Sequence, residues 1–266
     1  MKTIFITGAS SGIGKATAKF FQSQGWNVIA TMRNPEKETE LSQFENVTLL
    51  PLDVTNTQQI KSTADKATSL SDIDVVLNNA GYALTGAMEA LSDEQIVQEI
   101  NTNLLGTMRV TKAFIPYFRE RKKGLFINIT SIAGLIAYPL GSLYHATKWA
   151  LEGWSESLSF ELAMFNVGVK TISPSGTKTD FYDRSLNTSS LPFYDNAMKK
   201  VFGGINPASE PKDIAAIIYE AATDNKDQLR YLGGETAKKT YSKRLQIGAE
   251  AFRKETTTWF LNMLKD

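Results

Sequence analysis

The stretch Thr7-Gly8-Ala9-Ser10-Ser11-Gly12-Ile13-Gly14, "TGASSGIG" at 7–14, decides how the rest of the chain is read. It follows the short β-rich run "TIFIT" (3–7) and opens the helical pattern of 12–24. Strand, glycines and helix start come in that order. Glycine lets a backbone approach a phosphate, and a helix N-terminus offers free N–H groups and the positive end of a dipole. The spacing is GxxxGxG, whereas the usual dinucleotide fingerprint is GxGxxG. A tight strand-to-helix turn without a ligand would use the same glycines. The strand-turn-helix context favours phosphate.

Outward from this turn, strands alternate with helices. "NVIATM" (27–32), "VTLLPLDV" (47–54), "IDVVLNNAG" (73–81), "GLFINIT" (124–130), "GVKTIS" (168–173) and "LRYLG" (229–233) read as further strands. Several are continuous apolar runs, as expected of strands covered on both faces. Helices are expected from Thr55 or Asn56 to about Leu70, onwards from a capping box at Ser92 and Gln95, through 143–165, near 211–223, and over 235–264. Alternating β and α units predict one α/β domain over 1–266, a Rossmann-type doubly wound parallel sheet of about seven strands with helices on both faces. The segment 176–207 breaks the rhythm with Ser, Thr, Asn and Gly around Phe181, Leu186, Phe193, Val201 and Phe202. It reads as a mobile substrate lid with an apolar inner face.

Composition narrows the chemistry. The 266 residues carry a formal charge of +1, so no global field draws the chain to nucleic acid or anionic lipid. There are no cysteines, which excludes disulfides, thiolate nucleophiles and Cys-ligated zinc. A single histidine, His145, leaves no His-rich metal site, and no metal is expected. The apolar run in "MKTIFITGAS" is too short for a signal peptide, and no stretch reaches the ~18 apolar residues of a membrane span. A cytoplasmic location is the expectation.

Unusual residues recur at the carboxyl ends of the strands, where ligands bind in open α/β sheets. Gly8 follows the first, Arg33 the second, Asp53 the third, Asn78-Asn79-Ala80-Gly81 the fourth, Ser131 the fifth and Pro174 the sixth. Each residue type also favours turns. Where NAD enzymes place an acid for the ribose hydroxyl, this chain has Met32 and the cation Arg33, which suits a 2′-phosphate and hence NADP. Lys15 could help neutralise phosphate or simply occupy a helix surface. Tyr144 and Lys148, four apart in "SLYHATKW", share a helix face, so the ammonium can lie close to the phenol. His145 points about 100° away from Tyr144 and reads as structural or pocket-rim. Asn101, Asn103 and Gly106 are poor residues for the interior of a long helix, and a broken local rule often marks function. Close packing is the plain alternative for Gly106.

Taken as an ordered set, "TGASSGIG" (7–14), "LDVT" (52–55), "NNAG" (78–81), Asn103, Ser131, "YHATK" (144–148) and "PSGTKT" (174–179) resemble the short-chain dehydrogenase/reductase family. Ser131 precedes Tyr144 by thirteen residues, a spacing common in that family. One departure is Ser175 after Pro174, where the family often has glycine. The resemblance implies an NADP-dependent oxidoreductase acting on carbonyl or alcohol groups. Tyr144 would be its general acid and base, Lys148 would support the phenol and hold the nicotinamide ribose, Ser131 would orient the substrate oxygen, and Asn103 would hold a relay water. It further implies cofactor contacts from Gly8, Ser10, Ser11, Gly12, Ile13 and Gly14. Others would come from Arg33, Asp53, Val54, Asn79, Ala80, Gly81, Pro174, Thr177 and Thr179.

The lid, together with Leu135, Ile136 and Tyr138, favours a substrate with an apolar body, although the latter three suit core or interface equally. The resemblance also implies a homodimer or homotetramer joined through the helices at about 92–120 and 143–165. The basic run "KKTYSKR" (238–244) reads as a solvated helix face. The alternative function is a catalytically silent NADP(H)-sensing protein that acts through a protein partner.

Overall fold

A computed structural model of the chain describes residues 1–179, 191–203 and 209–265. Seven parallel strands form one sheet in the order β3-β2-β1-β4-β5-β6-β7. They are β1 Thr3–Thr7, β2 Asn27–Met32, β3 Val47–Pro51, β4 Val75–Asn78, β5 Gly124–Ile129, β6 Val167–Pro174 and β7 Arg230–Gly233. The helices are α1 Gly12–Ser23, α2 Thr57–Leu70, α3 Asp93–Glu99, α4 Thr107–Arg121, α5 Ser142–Ala163, α6 Asp195–Phe202, α7 Pro211–Thr223, α8 Glu235–Ile247 and α9 Ala249–Met263.

The period of two along β1 builds both cores. Ile4 and Ile6 face one side and pack with Phe21 and Trp26 and with Ile214 and Ile218 of α7. Phe5 faces the other and packs with Ile60 of α2, Phe114 and Phe118 of α4, Phe126 of β5 and Leu158 of α5. Phe5 lies 4.8 Å from Phe114, and Phe118 lies 5.0 Å from Phe126, ring centre to ring centre. A side chain of this size contributes about 1.5–3 kcal/mol when fully buried. Both faces are covered, which is why the strands read as unbroken apolar runs.

β1 is paired with β2 on one side and β4 on the other, so the direction of winding reverses there. The loops after β1 and β4 leave in opposite senses and open a crevice at the carboxyl edge of the sheet. Three boundaries differ from expectation. β3 ends at Pro51 instead of 54, because Leu52, Asp53 and Val54 turn into that crevice. The long helix opens on the expected Ser92–Gln95 capping box but passes through a π-helical segment, Ile100–Gly106, before α4. The C-terminal helix breaks at Gly248, whose φ of +83° suits glycine, into α8 and α9. Of the lid expected at 176–207, residues 180–190 and 204–207 lie outside the described residues; the rest contains α6.

Candidate active site

The glycine turn is held flat against the ends of β1 and β4. Thr7 Oγ1 accepts the N–H groups of Asn79 and Ala80, both at 3.0 Å. Asn79 Nδ2 donates to the carbonyls of Thr7 (2.9 Å) and Gly8 (3.0 Å). Gly8 has a φ of +67°, and a Cβ on it would lie 2.8 Å from Ala80 Cα. A Cβ on Gly14 would lie 2.3 Å from the Gly8 carbonyl oxygen and 2.5 Å from Asn79 Nδ2. No side chain is possible at either position without moving the backbone. α1 therefore starts directly over the crevice, with no acidic residue in its first turn to oppose an anion.

One cavity of about 1320 Å³ gathers the strand ends. Gly8, Ser10, Ser11, Gly12, Ile13, Arg33, Asp53, Val54, Asn79, Ala80 and Gly81 line it, with Ser131, Tyr144, Lys148, Pro174, Thr177 and Thr179. Two expected site residues, Gly14 and Asn103, stand one layer behind the wall. Arg33 is exposed at this wall. Lys15 is not turned to it. Its ammonium pairs with Glu38 at 3.0 Å and Glu40 at 2.9 Å, so the role suggested for it in phosphate neutralisation is not what the structure supports. Gly106 shows its reason as well: a Cβ there would lie 2.9 Å from Val54 Cγ2, so its absence lets the π segment close on the loop after β3.

Tyr144 and Lys148 follow each other up one face of α5, as their spacing requires. Lys148 Nζ lies 5.7 Å from the centre of the Tyr144 ring and donates to the Ile129 carbonyl at 2.9 Å. Burial pulls the lysine down to about 8, against the opposing pull of the Glu99 and Glu152 charges. Ser131 is extended and caps the short turn that follows β5, its Oγ accepting the Ala133 N–H at 3.1 Å. That turn packs against α5 because residue 134 is glycine: a Cβ there would lie 2.7 Å from the Lys148 carbonyl oxygen.

Asn103 sits in the π-helical segment and is buried. Its Nδ2 donates to the Tyr82 carbonyl (2.7 Å), Glu99 Oε1 (3.3 Å) and Thr147 Oγ1 (3.3 Å), while its Oδ1 accepts the Tyr82 N–H (3.0 Å). The side chain thus substitutes for a strand partner along the segment after β4. The helical irregularity that made Asn103 suspicious in sequence is real, and π segments concentrate at functional sites.

His145 is structural. Its Nδ1 meets the Ala133 carbonyl at 2.8 Å and its Nε2 accepts the Tyr138 N–H at 3.0 Å. This pairing requires the neutral ring, and burial lowers its pKa.

The outer wall of the cavity was read only in part from sequence. Ile136, Tyr138, and Val201 and Phe202 of α6 contribute to it as expected, whereas Tyr82 and Thr236, Lys239, Thr240 and Lys243 of α8 were missed. Phe252, Thr256 and Trp259 come from α9. The basic run 238–244 is therefore no plain solvated face: Lys243 pairs with Glu255, and Arg244 stacks 5.3 Å from the Trp149 ring centre. Phe193, counted with the apolar inner face of the lid, is 91% exposed. Ordinary Thr, Lys and aromatic residues far apart in sequence leave no motif, so only the folding of α8 back on α9 could reveal this wall.

The family model described as short chain dehydrogenase matches residues 2–189, and the chain belongs to that family. An uncharacterised oxidoreductase of Schizosaccharomyces pombe is 42% identical over 209 residues, covering 77% of this chain and 89% of the relative. A 3-ketodihydrosphingosine reductase of Bacteroides thetaiotaomicron is 38% identical over 189 residues, covering 71% of this chain and 68% of the relative. The solved structure of ElxO with NADP bound superposes with a TM-score of 0.75 at 27% identity, covering 89% of this chain and 99% of that one. The protein is accordingly an oxidoreductase of the short-chain dehydrogenase family, with the doubly wound parallel sheet of that family. Among the described residues, no helix is long and apolar enough to cross a membrane.

Proposed function

We propose that this protein is an NADP(H)-dependent reductase or dehydrogenase acting on a carbonyl or secondary alcohol with an apolar body. The observation that carries the reading is the Tyr144–Lys148 pair facing the same cavity as the glycine turn. The residues fit the cofactor: Gly8, Ser10, Ser11, Gly12 and Ile13 line the cavity at the start of α1, in a turn that Gly8 and Gly14 keep tight against the strand ends, and Arg33 supplies a cation at the same wall. ElxO, a structural neighbour, has been solved with NADP. When bound, the nicotinamide supplies or takes up the hydride.

The chain's own residues move the proton and position the reactants. Tyr144 Oη gives its proton to the substrate oxygen in reduction and takes it back in oxidation. The Lys148 ammonium favours the phenolate over the phenol. Ser131 Oγ holds the substrate oxygen at the end of β5. Asn103 fixes the segment after β4 that walls the site. Ile136, Val201, Phe202, Phe252 and Trp259 offer apolar surface for the rest of the substrate. The Bacteroides relative, a 3-ketodihydrosphingosine reductase, supports that choice. The presence of both Tyr144 and Lys148 favours the enzyme reading over a silent NADP(H) sensor.

One unit binds cofactor and performs the chemistry in this proposal, and two or four copies assemble. Phe160 on α5 and Met164 directly after it, 72% and 76% exposed, support that assembly. The test is a parallel titration with NADPH and NADH, followed by nicotinamide fluorescence, on the parent chain and Arg33→Ala. Tighter binding of NADPH, lost in the variant, is expected. A preference for NADH in the parent chain would remove the role of Arg33.

A further inference from the structure

Behind Lys148 lies a carboxyl that the proposed acid–base pair does not use. Glu99, the last residue of α3, is 0% exposed. Its Oε1 accepts the Leu84 N–H at 3.2 Å and Asn103 Nδ2 at 3.3 Å. Its Oε2 is buried and has no hydrogen-bond partner among the described residues. A buried carboxylate is costly unless a cation answers it. A glutamine could accept the same two hydrogen bonds, so what the glutamate adds is charge.

The geometry says which cation answers. A Cβ on Gly81 would lie 2.9 Å from Asn103 Oδ1 and 4.0 Å from Lys148 Nζ, so the Asn103 and Lys148 side chains both border Gly81. Asn103 in turn holds Glu99. The groups facing Glu99 from neighbouring elements are Lys148 of α5 and Tyr82 of the segment after β4. Lys148 also feels Glu152, but that carboxylate is already engaged by Arg230 Nε at 2.7 Å and Ser173 Oγ at 2.9 Å. Glu99 has no cation of its own other than Lys148 among the described residues.

We propose that Glu99 is a positioning residue that keeps Lys148 in its ammonium form, by placing an uncompensated negative charge behind the lysine through the Asn103 network. This deepens the reading of Tyr144 and Lys148 as the acid–base pair and rests on it. Burial pushes the Glu99 carboxyl up to about 7, so its charge arises as the solution passes through neutrality. Above that point the anion holds the proton on Lys148, and Tyr144 keeps the cation beside its ring.

The test follows the ¹³Cε resonance of Lys148 against pH in the full-length chain, with the resonance assigned through Lys148→Arg. The parent midpoint is expected at about 8. In Glu99→Gln it should fall by about one unit, the lower end of the effect of an opposite charge at short range. Glu99→Asp, which restores a carboxyl, should recover part of the shift. A purely structural role would change thermal stability and leave the midpoint in place, and an unmoved midpoint in folded Glu99→Gln overturns the proposal. Should Glu99→Gln fail to fold, the parent curve decides. An added inflection near 7, where Glu99 ionises, supports the coupling, and a single-step curve overturns it. The two readings fail separately. Turnover retained by Tyr144→Phe would remove the acid–base pair, whereas an unmoved midpoint with inactive Tyr144→Phe would remove only the role of Glu99.

Discussion

At the nucleotide end of the cavity a single methyl group has nowhere to go: a Cβ on Gly14 would meet the Gly8 carbonyl oxygen at 2.3 Å. At the opposite end Trp259 is 47% exposed, and it touches the Tyr138 ring edge-on with centres 6.3 Å apart. The first region is made of backbone packed on backbone, between two strands that the hydrophobic cores hold rigid. The second is made of side chains on α8 and α9, a pair that packs back over the sheet edge. The difference teaches where tolerance lies. Geometry fixed by backbone contact admits few residues, whereas a wall of side chains can be rebuilt around another substrate without disturbing the fold.

The largest expected effect breaks the rigid end. Gly14→Val should weaken nucleotide binding about a hundredfold or more, since displacements of about 1 Å cost that much in a positioned site. It should also lower stability by about 1–3 kcal/mol through overpacking. Fluorescence titration and chemical denaturation measure the two. Arg33→Ala, at the same end but on exposed side chain only, should weaken NADPH binding about tenfold to a hundredfold. That corresponds to one charge-assisted contact. NADH binding and stability should be unchanged.

A third variant probes the seam between the two ends. The Glu99 carboxyl titrates at about 7 in the folded chain against an ordinary 4.5, so the folded state binds its proton more tightly between those values. Stability is therefore lost as the pH rises through that window, by at most about 3 kcal/mol. Glu99→Gln lacks this titration. Its stability relative to the parent should rise between about pH 4.5 and about pH 7, read from denaturation midpoints.

Trp259→Ala should act at the adaptable end alone. A several-fold rise in KM for an apolar ketone is expected, from the loss of about 1 kcal/mol of apolar contact, with NADPH affinity unchanged. The smallest effect belongs to Gly153, in the middle of α5, where a Cβ would meet nothing within 4 Å. Gly153→Ala should raise stability by about 0.5–1 kcal/mol. Against Gly14→Val, it separates glycines required by contact from one that is not.

The same contrast explains what was legible in sequence. The rigid end was readable because backbone constraints admit few residue types: Gly8 at positive φ and Asn79 reaching two carbonyls leave fixed letters at fixed spacing. Tyr144 and Lys148 were readable because helix geometry turns a spacing of four into proximity. Asn103 stood out as a poor helix residue, and the π segment is the cause. Lys15 stayed open in sequence between phosphate and helix surface, because its neighbourhood said nothing of Glu38 and Glu40, which reach it from the turns after β2. Glu99 was invisible: a glutamate in a helix reads as surface, and its burial depends on Leu84 and Asn103 closing over it. The wall from α8 and α9 was invisible for the same reason, since tertiary convergence leaves no spacing to read.

The most direct test of the central claim is NADPH consumption by the parent chain and Tyr144→Phe across one panel of aldehydes and ketones, with NADPH affinity measured on both. Retained binding with turnover reduced about a hundredfold or more is expected of a lost general acid. Turnover at the parent rate in Tyr144→Phe would contradict the assignment of Tyr144 and, with it, the reading of the Tyr144–Lys148 pair.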